Sequence, residues 1–198
     1  MLIVVLKPWR SYCVMRRSYA PCFALALFLI LPFLDGCATS QEMTGNPTLL
    51  PGVPFYRQEA YECGPAALAT VVNYWHTKTG AASATTPEDI VAEIFSPSAR
   101  GVLGIDLQAY AKKRGFQAHT STGSIGEIRK QIGQSVPPII LVDYGFSFYQ
   151  RNHFMVVTGY AVNGVLANTG RAENEFIEEE DLLRIWKKTG YWMLVVKP

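Results

Sequence analysis

"YRQEAYECGPAALATVV", residues 56–72, places a cysteine between a glutamate and Gly-Pro, immediately ahead of an apolar helical pattern. Ala66, Ala67, Leu68, Val71, Val72 and Trp75 recur at helical spacing, which predicts a helix from about Cys63 to His76. Pro65 suits the first helical turn, where its missing N–H costs nothing. Cys63 therefore sits at the start of the helix, beside unpaired N–H groups and the positive end of the dipole. Such a position favours a thiolate, the form in which cysteine attacks. Gln58, five residues earlier, could aim its amide at a developing oxyanion together with the Cys63 N–H.

Outward from this stretch, the remaining cysteines sharpen the reading. The chain has 198 residues and four cysteines, Cys13, Cys22, Cys37 and Cys63. "MRRSYAPCFALALFLILPFLDGC", 15–37, has a basic start, an apolar run of about a dozen residues and a Gly-Cys end, the three-part layout of an export signal. The run is short for a bilayer span and contains Pro32. Its "LDGC" ending resembles a bacterial lipobox, which implies cleavage before Cys37 and lipidation of that residue. Met15 is then the expected true start. The expected organisation is a signal peptide over 1–36, a lipidated tether rich in Gly, Pro and Thr over 37–52, and a folded domain over 53–198. Cleavage leaves Cys63 as the lone thiol of an envelope protein facing the periplasm. A disulfide and a cysteine-rich metal site are then excluded, and packing or nucleophilic attack remain.

Within the domain, "TTPEDIVAEIF" (85–95), "GIDLQAYAKKRGF" (104–116) and "SIGEIRKQIGQ" (124–134) read as capped helices. "PPIILVDY" (137–144) and "HFMVVTGYAVNGVLAN" (153–168) read as strands, the latter a hairpin turning at Asn163-Gly164. "EEEDLLRIWKKTG" (178–190) reads as a helix and "YWMLVV" (191–196) as a closing strand. Helices first and antiparallel strands afterwards give an α+β class. The 18 basic and 16 acidic residues nearly cancel, leaving a formal net charge of +2 and no basic stripe that would suit nucleic acid.

A nucleophilic cysteine needs a base. His76 lies on the Cys63 helix, about 20 Å along it at about 1.5 Å per residue. His119 falls in a stretch rich in Thr and Ser that reads as a loop. His153 opens a strand and can meet the end of a helix packed on the sheet, so it is the expected base. Asn168, on the return strand, is the expected orienter of the imidazole. Thr169 replaces it if a bulge shifts the register, and Asp143 at the end of the preceding strand is a third possibility. Tyr144, Phe146, Phe148 and Tyr149 could line a cleft beside His153.

"QEAYECGPAALATVV", "NHFMVVTGY" and "NGVLAN" together resemble the double-glycine peptidases that trim bacteriocin leaders, a branch of the papain-like cysteine peptidases. The resemblance runs from about Phe55 to Asn168. It implies a papain-like fold, Cys63 as nucleophile, His153 as base and Gln58 as oxyanion donor, with no cofactor or metal. Two positions depart from the family: "ANTG" stands where an aspartate is common, and Glu62 precedes the cysteine where aspartate is expected. The family's usual transporter and ATP-binding segments have no counterpart in this sequence. The expected activity is hydrolysis of a peptide or isopeptide bond through an acyl-enzyme, on a peptide or protein substrate, at a lipid-anchored site. The alternatives are a peptide-binding envelope module without catalysis and an acyl transferase using the same Cys-His pair.

Overall fold

A computed structural model describes residues 42–58, 62–81 and 84–198. Cys37, the export-signal segment and the proposed start at Met15 lie outside the described residues.

Among the described residues, five α-helices and seven strands follow in chain order. Strand β1 (Thr48–Leu49) precedes helix α1 (Cys63–Thr79), α2 (Pro87–Ile94) and α3 (Gly104–Lys113). Then come β2 (Gln117–Thr122), α4 (Ile125–Gly133), β3 (Ile139–Asp143), β4 (Asn152–Ala161), β5 (Gly164–Asn168), β6 (Glu175–Glu178), α5 (Glu179–Trp186) and β7 (Trp192–Lys197). The seven strands form one sheet in the order β2-β7-β3-β4-β5-β6, and β1 pairs with β4. Every pairing is antiparallel. The α+β class is as the sequence indicates, with the cysteine helix packed on the sheet.

Helix α1 lacks a polar stripe over its middle turns, and this explains its place. Residues Gly64 to Tyr74 are all buried, because β4 lies against one side and α2 and α3 against others. Thr70 satisfies its buried hydroxyl on the Ala66 carbonyl, and Asn73 bonds Tyr56 and the Thr85 backbone. The helix ends at Gly80, whose φ of 73° is the left-handed conformation glycine tolerates. Thr86 and Asp89 form a full capping box at the start of α2, and Ser124 caps α4.

Three departures from the sequence reading have physical causes. Residues 117–122 form β2 along the whole of β7, where a loop was expected. Only Ala118 among them is buried, so this edge strand carries little apolar alternation. The hairpin turns at Val162-Asn163, one residue earlier than expected, since Ala161 pairs with Gly164. The segment expected to be a tether is docked in part: Thr48 and Leu49 pair with Tyr160 and Gly159, and Leu50 is buried. Strand β4 is ten residues long and β3 covers only its first half, through Val156, which leaves an open edge for β1 to fill. Gly159 permits the approach, as a Cβ there would strike the Thr48 carbonyl.

Leu68 of α1 is fully buried in the core that joins the helix to the sheet. Leu68→Ala should lower unfolding free energy by about 2–5 kcal/mol in urea denaturation, the range for a truncated core leucine.

Candidate active site

The first turn of α1 leaves few free donors, and their identity matters. Ala66 N–H already bonds the Glu62 carbonyl, and Pro65 has none. The N–H groups of Cys63 and Gly64 are the remaining pair at this helix end. Both favour the thiolate of Cys63, as does the backbone amide of Phe154 on β4. This third amide ties the cysteine to the strand residue directly after His153. Burial outweighs all three and pushes the Cys63 thiol above its ordinary range.

The space that Gly64 leaves is filled by Val102 and Phe154: a Cβ on Gly64 would collide with Val102 Cγ2 and come 3.3 Å from Phe154 Cδ2. The missing side chain lets the cysteine end of α1 seat against β4 and the segment leading into α3.

His153 stands at the start of β4, paired with Val142. Its Nε2 lies 2.8 Å from the Thr169 carbonyl oxygen. A carbonyl only accepts, so Nε2 carries the proton and the neutral ring keeps its lone pair on Nδ1. The imidazole pKa is lowered, first by burial and then by the cations Arg171 and Arg151, against the raising effect of the Thr169 bond. The Tyr144 ring stands beside it at 5.8 Å between centroids.

The expected orienter, Asn168, does not hold the ring. Its side chain donates to the Pro54 carbonyl at 3.1 Å and accepts from Asn174 N–H at 3.0 Å. The register explains this, since Asn168 pairs with Val156, three residues from His153 and on the opposite face by strand alternation. A bulge between Val157 and Gly159 shifts the pairing, and Thr169 is the residue that meets the imidazole. It does so through its main chain. The Thr169 hydroxyl is turned to Glu175, at 2.5 Å. Asp143, the third possibility, accepts from Gly145 and Arg151 N–H groups at 2.7 Å each and closes the β3–β4 loop.

Gln58 is held by its backbone, whose N–H bonds the Gly170 carbonyl at 3.0 Å. Its side-chain amide lies over Gly170, where a Cβ would overlap it, and its Oε1 is buried without a partner. Gly170 has a φ of 79°, so both the turn and the space depend on glycine. Cys63, His153, Gln58, Thr169 and Gly170 line one cleft of about 840 Å³. Tyr144 and Tyr149 line it too, while Phe146 faces a neighbouring depression and Phe148 is 96% exposed. His76, in the last turn of α1, packs on Phe116, and His119 lies on β2, so neither belongs to the cleft. Sequence reasoning missed the Thr169 carbonyl and the arginines facing His153. No side-chain pattern marks the first, and the spacing of Arg151 and Arg171 about His153 and Thr169 is the signal for the second.

With the thiol raised and the imidazole lowered, the resting pair is neutral. The sign follows for each group: His153 stays uncharged down to below the about 6.5 of an ordinary histidine, and Cys63 stays protonated above neutrality. Iodoacetamide alkylation of Cys63 should therefore keep accelerating through pH 8.5, and the His153 15N resonances should titrate below about 6.5. A rate plateau from pH 5 to 8 with a charged imidazole would contradict this.

Residues 51–192 match the model of the Peptidase_C39 like family. No curated protein matches the sequence. Among solved structures, a C39-like peptidase from Bacillus anthracis superposes with a TM-score of 0.63 at 18% identity, over 78% of this chain and 98% of that one. The peptidase domain of Streptococcus ComA, a bifunctional ABC transporter of a quorum-sensing pathway, gives 0.58 at 20% identity, over 73% and 96%. A double-glycine-motif protease from an AMS/PCAT transporter, solved with its leader peptide, gives 0.58 at 24% identity, over 74% and 91%. The likeness in fold and the family match over most of the sequence lead to one conclusion: the chain belongs to the Peptidase_C39 like family.

Proposed function

We propose that this protein is a cysteine peptidase that cleaves a peptide bond, or an isopeptide bond, through an acyl-enzyme on Cys63. The observation that carries the reading is the shared cleft, in which a helix-end thiol and a strand-borne imidazole with its lone pair on Nδ1 both present themselves. Membership of a peptidase family supports it.

In this mechanism Nδ1 of His153 takes the thiol proton as Sγ attacks the scissile carbonyl, so the neutral resting pair becomes charged only as the bond forms. The oxyanion is received by the Cys63 N–H and by the side-chain NH2 of Gln58, which lines the same cleft. The imidazolium then protonates the leaving amine, and water enters to release the acyl group. Thr169 serves as orienter through its carbonyl, in place of the expected Asn168. A carbonyl stabilises an imidazolium less than a carboxylate does, which suits a base kept neutral at rest.

The neutral pair also favours a second reading, a peptide-binding module whose thiol is not activated. Cys63→Ala and His153→Ala should each lower hydrolysis of a peptide library by at least about 10³-fold, with the fold retained by circular dichroism. Absence of turnover by the parent protein, with peptide binding intact, would establish the module. Product masses with and without an added amine separate hydrolysis from acyl transfer.

Location is part of the same proposal. The layout of residues 15–37 supports export and lipidation of Cys37, which would tether the peptidase to the bacterial envelope on its periplasmic side. Ten residues separate Cys37 from the docked strand at Thr48, so the tether would be shorter than the 37–52 span suggests. Metabolic labelling with an alkyne fatty acid should mark the wild-type chain and not Cys37→Ser. Equal labelling of both would refute lipidation at Cys37.

A further inference from the structure

The cleft walls carry an excess of positive charge, three arginines against one carboxylate among the described lining residues. Arg151 precedes His153 by two residues, and Arg171 follows Thr169, whose carbonyl holds the imidazole, by two. Arg100 enters the same cleft from the loop between α2 and α3. All three are exposed, and none forms an ion pair among the described residues. Several other cations of the domain do have a carboxylate partner: Lys113 and Arg114 share Glu93, Arg129 meets Glu179, and Arg184 meets Asp181.

Among the described lining residues, Glu175 is the single carboxylate. One of its oxygens is engaged by the Thr169 hydroxyl. Arg171 and Arg151 both act electrostatically on the His153 ring, whereas at the Tyr144 hydroxyl Glu175 opposes them, so the positive charge converges on the imidazole side of the cleft. A guanidinium presents a planar fork of donors that matches a carboxylate, and a partly closed cleft strengthens that pairing relative to open water.

We propose that the substrate carries an aspartate or glutamate side chain next to the scissile bond, and that Arg151 and Arg171 receive its carboxylate. Arg100, which lines the same cleft, contributes to the same attraction. This rests on the peptidase reading of the cleft and specifies its substrate class. It also gives the two arginines a use that offsets their cost, since cations beside the base weaken its hold on a proton until an anion arrives.

Two alkylating reagents of similar size, the anion iodoacetate and the neutral iodoacetamide, test the inference without knowledge of the substrate. Alkylation of Cys63 in the full chain is followed at pH 7.5 by peptide mass mapping, beside a neutral model thiol. The iodoacetate-to-iodoacetamide rate ratio should exceed that of the model thiol by about 10-fold or more. The ratio should collapse toward the model value in the Arg151→Gln/Arg171→Gln double variant and in 0.5 M salt, roughly as screening over a few ångströms requires. A wild-type ratio equal to the model thiol's, or one unchanged in the double variant, overturns the acidic-substrate inference. The peptidase reading is judged separately, by iodoacetamide alone: if its rate is the same in His153→Ala, the Cys-His pair fails while the cationic recognition stands.

Discussion

The seating of the cysteine end of α1 on the first residues of β4 is the constraint on which the site depends. It is a contact without a side chain, Gly64 against Phe154 and Val102, together with the Phe154 amide directed to Cys63. The contact fixes the helix end beside the residue after His153, so one strand positions both His153 and an amide directed to Cys63. A larger residue at position 64 would lift the helix end and separate groups that are distant in sequence. The buried middle of α1 and the sheet core beneath it exist on the same terms, since a fully apolar helix is stable only when enclosed.

Electrostatics at the site run against the simplest picture of a helix-end thiolate. Three amides and a helix dipole favour the anion, but burial costs more, and the imidazole is discouraged from holding a proton by burial and by two arginines. Under the proposed reading, the Cys63–His153 pair stores no charge separation while the cleft is empty. Charge develops when a substrate carbonyl is present to accept it, and an acidic side chain entering beside Arg151 and Arg171 would relieve the repulsion felt by the imidazolium. Substrate recognition and base strength are then linked through the same two cations.

Much of the architecture was legible in the sequence because local chemistry and long-range packing agree there. Pro65, the apolar run after it and the Thr86 and Ser124 caps placed three helix starts correctly. Of the three histidines, reach alone singled out His153, the one that lines the cleft with Cys63. What escaped depends on partners that the sequence does not juxtapose. β1 forms because β4 outruns β3, β2 forms because β7 offers an edge, and the hairpin register follows from a bulge at Thr158. The orienting group escaped for a further reason. It is a main-chain carbonyl, which every residue possesses, so the choice among Asn168, Thr169 and Asp143 as side chains could not contain the answer as posed. Asn168 and Asp143 proved to be fasteners of neighbouring backbone, at Pro54, Asn174 and the β3–β4 loop.

The central claim is that Cys63 and His153 act as one unit on a carbonyl bound in the cleft. A crystal structure of the protein treated with a peptide aldehyde tests it most directly. The account predicts a thiohemiacetal on Cys63, its oxygen about 2.7–3.1 Å from the Cys63 N–H and the Gln58 amide or from His153 Nδ1. An unmodified thiol, or an adduct whose oxygen points to solvent with His153 turned away, would contradict it.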